Sequence, residues 1–166
     1  GFLDDVDAIY WTHIWGDLDA PYMNFETGPR MASCDNFRIE VEGISAHGST
    51  PHQGVDAILT AAHIITEIQA IVSRMNDPLN PLVVTVGKIT GGQRFNILAD
   101  KVIMEGTTRT HSLEMRKKTE PLLRKIVENT ADSMGAKATL TFEYFPAPII
   151  NDHEDLVHIA RNAATK

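Results

Sequence analysis

CDNFRIEVEGIS, residues 34–45, sets apolar Phe37, Ile39 and Val41 against polar Arg38, Glu40 and Glu42. A period of two with one apolar face predicts a half-buried β-strand, since side chains alternate across a pleated sheet. The chain then changes period. Ile58, Ala61, Ile65, Ile68, Val72 and Met75 recur at three and four, predicting an amphipathic helix over 56–75 with Asp56 as its cap. Asn76, Pro78 and Pro81 forbid its continuation.

The rest of the middle region follows the same logic. LVVTVGKI (82–89) is rich in β-branched residues and predicts a second strand. GGQRFNILADK reads as a loop, and VIMEGTTRT (102–110) as a third strand. Residues 112–134 predict a second helix, capped by Ser112 and closed by Gly135. Pro121 lies inside it, so the helix either kinks there or has its stable part begin near Thr119. KATLTFEYF (137–145) alternates and predicts a fourth strand. The order is β-α-β-β-α-β. The expected class is therefore α+β, a ferredoxin-like βαββαβ unit with a four-stranded antiparallel sheet and both helices on one face.

The two ends lie outside that unit. VDAIYWTHIW near the start is strand-like, and NDHEDLVHIARNAATK (151–166) reads as a helix capped by Asn151 or Asp152. GPRMAS and FPAPII are the natural hinges. The pattern predicts an insertion: residues 1–32 and 148–166 are pieces of a host domain, and 33–147 is the domain set into it. The absence of an initiating Met agrees with a piece of a longer protein.

Of the 166 residues, 43% are hydrophobic and 22% charged, a globular profile, and no apolar run reaches the ~20 residues that cross a bilayer. The net charge of −7 argues against a nucleic-acid partner, which calls for a basic face. Cys34 is the only cysteine, so no internal disulfide forms, which suits a reducing, cytoplasmic setting. The opening residues lack the basic and apolar regions of a signal peptide.

The chemistry is harder to read. His47 and His52 lie in SAHGSTPHQGVDA (45–57), a loop rather than a helix, so they lack the i, i+4 geometry of a helical zinc pair. Spacing alone favours loop histidines without a metal. Gly91 and Gly92 precede Asn96 in a loop followed by a strand, whereas a phosphate cradle needs a helix there; a wide hairpin is the simpler reading. Arg109 at the end of the third strand has the planar fork to hold a carboxylate, or is an ordinary strand-end arginine. His13 sits between two tryptophans, and His63, His111, His153 and His158 read as surface positions.

Taken together, DAIYWTHIW (7–15), GPRMASCDNFRIEVEGISAHGSTPH (28–52) with VDAI after it, SRMNDPLNPLVVTVGKITGG (73–92) and FNILADKVIMEGTTRT (95–110) resemble the M20 family of metallopeptidases and amidohydrolases. The likeness is to the branch of hippurate, N-acyl-amino-acid and auxin-conjugate hydrolases. It implies a host: a two-metal catalytic domain interrupted by a βαββαβ lid, or dimerisation, domain. It implies that His47 reaches across a homodimer to stabilise the oxyanion in the partner's active site. Asn96 and Arg109 would bind substrate, and His13 would ligate a divalent metal, whether Zn, Mn, Co or Ni. His52 takes a structural role in its turn.

The chain departs from the branch at Gly16 and Ala99, where proline is usual, and at Ser45–Ala46, where two glycines precede the histidine. The remaining metal ligands and the general base have no counterpart here, so this stretch alone is expected to be inactive and to bind no metal tightly. Two rival readings keep the fold and change the function. One is a pure dimerisation module without catalytic residues; the other is an ACT-like domain that binds a small regulatory molecule.

Overall fold

The computed structural model describes residues 1–164. Among them the elements run β1 (Gly28–Met31), β2 (Asp35–Glu42), α1 (Ala57–Ala70), β3 (Leu82–Gly91), β4 (Lys101–Thr110), α2 (Leu113–Ser133), β5 (Lys137–Glu143), β6 (Ile149–Asn151) and α3 (Glu154–Ala164). A 3-10 turn covers Pro51–Gln53, and a π-helical turn, Ile71–Met75, extends α1. The chain divides into two compact units, Thr27–Asp152 and the pair of segments Gly1–Glu26 and His153 onward.

The larger unit is the expected βαββαβ. Its sheet has the order β3-β4-β2-β5, every neighbour antiparallel. In β2 the alternation sends Phe37, Ile39 and Val41 into the core and Arg38 and Glu40 to the other face. Ile39, Val102, Met104, Ile64, Ile68 and Leu123 are fully buried between the sheet and the helices. Each contributes about 1.5–3 kcal/mol by leaving water. Gly106 pairs with Phe37 across β2–β4, and the Phe37 ring lies over it.

The caps form as the sequence predicts. Asp56 Oδ1 accepts from the N–H groups of Ile58 and Leu59 at 2.9 and 3.0 Å, and Ser112 Oγ accepts from Met115 N–H at 3.1 Å. Gly135 ends α2 at φ +75°. Helix α2 runs unbroken through Pro121, which is exposed, so the Lys117 carbonyl that it leaves unbonded faces the solvent side.

Several expectations change. The buried stripe of α1 is Ala57, Thr60, Ala61, Ile64 and Ile68, continued by Ile71, while Ile58 and Met75 are exposed. The helix carries more apolar residues than one face holds, and spacing alone chose the wrong stripe at both ends. Each hinge is part irregular and part strand: β1 and β6 pair antiparallel as a two-stranded ribbon inside the larger unit. Finally, VDAIYWTHIW forms no strand, having no strand partner among the described residues.

In the smaller unit α3 is the one regular element among the described residues. Asn151, an expected cap, ends β6 instead, and α3 starts at Glu154. Tyr10 OH donates to Leu156 O at 2.8 Å, and Arg161 Nη2 donates to Phe25 O at 2.6 Å. No helix among the described residues is long and apolar enough to cross a membrane.

Candidate functional site

The β3–β4 connection is a wide hairpin, and its far limb is stitched to the loop that follows β2. Gly43 N–H donates to Asp100 O (2.8 Å), Leu98 N–H to Ala46 O (2.9 Å), and Gly48 N–H to Asn96 O (2.8 Å). Ala57 N–H donates to Ala99 O at 3.0 Å, and His47 and Ile97 form an antiparallel bridge. Ser45 adds a side-chain stitch, its Oγ donating to Leu98 O at 3.1 Å. The loops approach closely at Gly48, where a Cβ would lie 3.1 Å from Asn96 O. His47 and Asn96, far apart in sequence, are thus held side by side, both exposed.

The protonation of His47 follows from its own turn. Ser49 N–H lies 3.1 Å from His47 Nδ1, and a backbone N–H can only donate. Nδ1 therefore carries the lone pair and the neutral ring bears its proton on Nε2. Ser49 Oγ, 2.7 Å from the same nitrogen, donates to it as well. Thr50 N–H closes the turn onto His47 O at 2.8 Å. The result is an exposed imidazole on a braced loop, with an N–H donor as its free end. His52 lies in the adjoining 3-10 turn and is exposed.

Arg109 is elsewhere. It stands about 26 Å along β4 from Lys101, the strand end that the Asn96 loop joins. There it is half-buried and its Nη1 donates to Ser33 O at 3.3 Å. One small substrate cannot touch Asn96 and Arg109 of the same protomer.

His13 lies in the smaller unit, exposed, its ring centroid 5.8 Å from that of Trp15 and 6.5 Å from that of Trp11. Its Nδ1 lies 2.5 Å from Ile14 O, a carbonyl that can only accept, so Nδ1 is protonated and Nε2 keeps the lone pair. That suits a metal ligand, whose second nitrogen is commonly fixed by such a bond. Yet no group of three or more His, Cys, Asp or Glu side chains able to hold a metal occurs among the described residues. One imidazole does not make a metal centre, so this donor set by itself does not fit one.

The remaining histidines are unequal. His63 is exposed as expected, but His111 is half-buried, its Nδ1 buried with no hydrogen-bond partner.

Sequence reasoning missed a polar cluster where β2 begins and β5 ends. Asp35 is fully buried and receives Arg116 Nε at 2.8 Å, Arg116 Nη2 at 2.6 Å and Phe145 N–H at 3.0 Å. Burial pulls its carboxyl up, but Arg116, the Phe145 N–H and Ser33 together hold it below the usual carboxylate range. Arg116 also donates to Phe145 O and lies 5.1 Å from the Tyr144 ring centroid, while Tyr144 OH donates to Glu120 at 2.8 Å. The cluster ties the strand by which the chain joins the sheet to the segment by which it leaves.

Residues 34–134 match the peptidase dimerisation domain of the M20 family. Over its full length the chain is 37% identical to an N-acetyl-L-cysteine deacetylase of Bacillus subtilis, of which it spans 40%. Over 93% of its length it is also 37% identical to an N-acyl-L-amino acid amidohydrolase of Geobacillus stearothermophilus, spanning 42% of that protein. In structure it is similar to a crystallised dinuclear metal-binding peptidase of the M20 family from Bacillus subtilis, with TM-score 0.64 and 28% identity over 84% of this chain and 33% of that one. The chain belongs to the M20 family and carries its dimerisation domain. It spans about two fifths of the length of the curated relatives it matches.

Proposed function

We propose that this chain is the lid and dimerisation part of a metal-dependent amidohydrolase that cleaves N-acyl amino acids or related amides. His47 of one subunit donates its Nε2–H to the oxyanion forming in the partner's active site, and Asn96 beside it holds the substrate. The single observation that carries this reading is the Ser49 N–H to His47 Nδ1 bond, because it leaves Nε2–H as the donor of an exposed ring. A donor aimed at developing negative charge stabilises the transition state more than the ground state. The named activities of the two relatives support the amide substrate.

The metal belongs to the longer enzyme. His13 would be one of its ligands, the others lying outside this chain. Arg109, far along β4 from Asn96, would then hold a carboxylate in a different active site from the one that His47 and Asn96 of the same protomer serve.

The second copy docks on the β3 edge and the adjoining face of α1. Strand β3 is an edge of the sheet with one side unpaired, which invites another strand. Ile89, opposite Met104 and so on the helix side of the sheet, is 52% exposed. Ile58 and Leu59 on α1 are 49% and 50% exposed. Ile58 Cδ1 lies 3.2 Å from where a Cβ on Gly92 would be, so the strip is continuous from helix to strand end.

The test is kinetic. In the full-length protein with Mn²⁺ or Zn²⁺, His47→Ala lowers kcat for an N-acyl amino acid while dimer content is unchanged by native mass spectrometry. An unchanged rate at matched dimer content would instead support a dimerisation module without catalytic residues.

A further inference from the structure

Phe95 is a fully exposed aromatic side chain. It is no ordinary loop residue. Phe95 and Asn96 occupy the tip of a turn closed by Ile97 N–H to Arg94 O at 3.3 Å. The residues that follow are locked to the His47 loop through Gly48 N–H to Asn96 O and the His47–Ile97 bridge. The backbone that carries Phe95 is therefore tied to that of His47 and Asn96. Wherever those two act, an uncovered phenyl ring arrives with them. Ile97, beside the tip, is exposed too, so the ring opens an apolar patch within a polar loop.

We propose that Phe95 is a specificity-determining residue, packing against the apolar part of the substrate's acyl group. The inference rests on the proposed role of His47. If His47 Nε2–H meets the oxyanion, the neighbouring turn faces the groups nearest that carbon. The acyl substituent is bonded directly to the carbonyl carbon. The amino acid's side chain is separated from it by the nitrogen and the α-carbon. The acyl group is thus the nearer partner for Phe95, and an aromatic or long aliphatic acyl group fills the contact that an acetyl group leaves empty.

The experiment uses the full-length protein and two substrate series. One holds the amino acid fixed and compares N-benzoyl with N-acetyl; the other holds acetyl fixed and compares alanine with phenylalanine. Phe95→Ala is expected to lower the benzoyl-to-acetyl ratio of kcat/KM by about tenfold or more, as loss of an apolar contact does. Phe95→Leu should keep most of that ratio, and the amino-acid series should not move.

An unchanged acyl ratio overturns the inference, as does a change confined to the amino-acid series. Loss of the dimer in Phe95→Ala, seen by native mass spectrometry, also overturns it and makes Phe95 an interface residue. His47→Ala separates the two levels. If it slows both acyl substrates alike while Phe95→Ala leaves their ratio intact, only the role of Phe95 fails. If His47→Ala slows neither, the site itself fails and the inference falls with it.

Discussion

At His47 the position of one proton decides what the residue can do. The Ser49 N–H fixes the neutral tautomer with Nε2 protonated, so the ring can donate without first gaining charge. His47→Ala in the full-length protein is therefore expected to cost about 10²–10³ in kcat, the usual loss for one oxyanion donor, with little change in KM. Ser49→Ala removes the hydroxyl contact but keeps the N–H, and its kcat should stay within about tenfold of wild type. The sequence pointed to His47 only through family likeness. Its spacing to His52 argued for nothing, and its adjacency to Asn96 depends on backbone bonds between segments far apart in the chain. Arg109 shows the reverse: the residue type suited a carboxylate, but β4 carries it away from the other two.

Periodicity read the elements well because each strand and helix has one face in a shared core. It failed where no such face exists. The β1–β6 ribbon is too short to show alternation, and the buried stripe of α1 was ambiguous because Ile58 and Leu59 add a second apolar face. The Asp35–Arg116 pair was invisible for another reason: its members meet only after β2 and α2 have packed.

Removing one member of a buried pair strands the other. Arg116→Met should thus destabilise the unit by about 3–5 kcal/mol, measured by urea denaturation. The pair also sets a pH dependence. The Asp35 carboxyl titrates lower when folded than when unfolded, so its contribution is complete above about pH 4 and lost as the pH falls through the lowered folded value. Asp35→Asn should lower stability at neutral pH and flatten its decline in acid. At Gly106 a Cβ would collide with the Phe37 ring and the Thr85 carbonyl, so Gly106→Ala should cost about 1–3 kcal/mol by the same assay.

For the whole molecule, the βαββαβ topology leaves two strand edges unpaired, β3 and β5, and the β3 edge adjoins an exposed apolar face of α1. Ile89→Lys places a charge in the middle of that strip. It should weaken the dimer by about thirtyfold or more in native mass spectrometry while leaving the fold intact by circular dichroism. The fold class was legible because it needs only element order. The function was not, because composition and spacing describe one copy, and the proposed chemistry belongs to two.

Subunit complementation tests that claim most directly. The full-length His47→Ala protein keeps His13, the proposed metal ligand, and His13→Ala keeps an intact His47. Each homodimer should be impaired. After subunit exchange, half of the dimers are mixed and each has one complete site, so activity should rise toward about one quarter of the wild-type rate. Mixed dimers that form, yet hydrolyse no faster than the two parents, would contradict the account, because His47 would then act only within its own subunit or not at all.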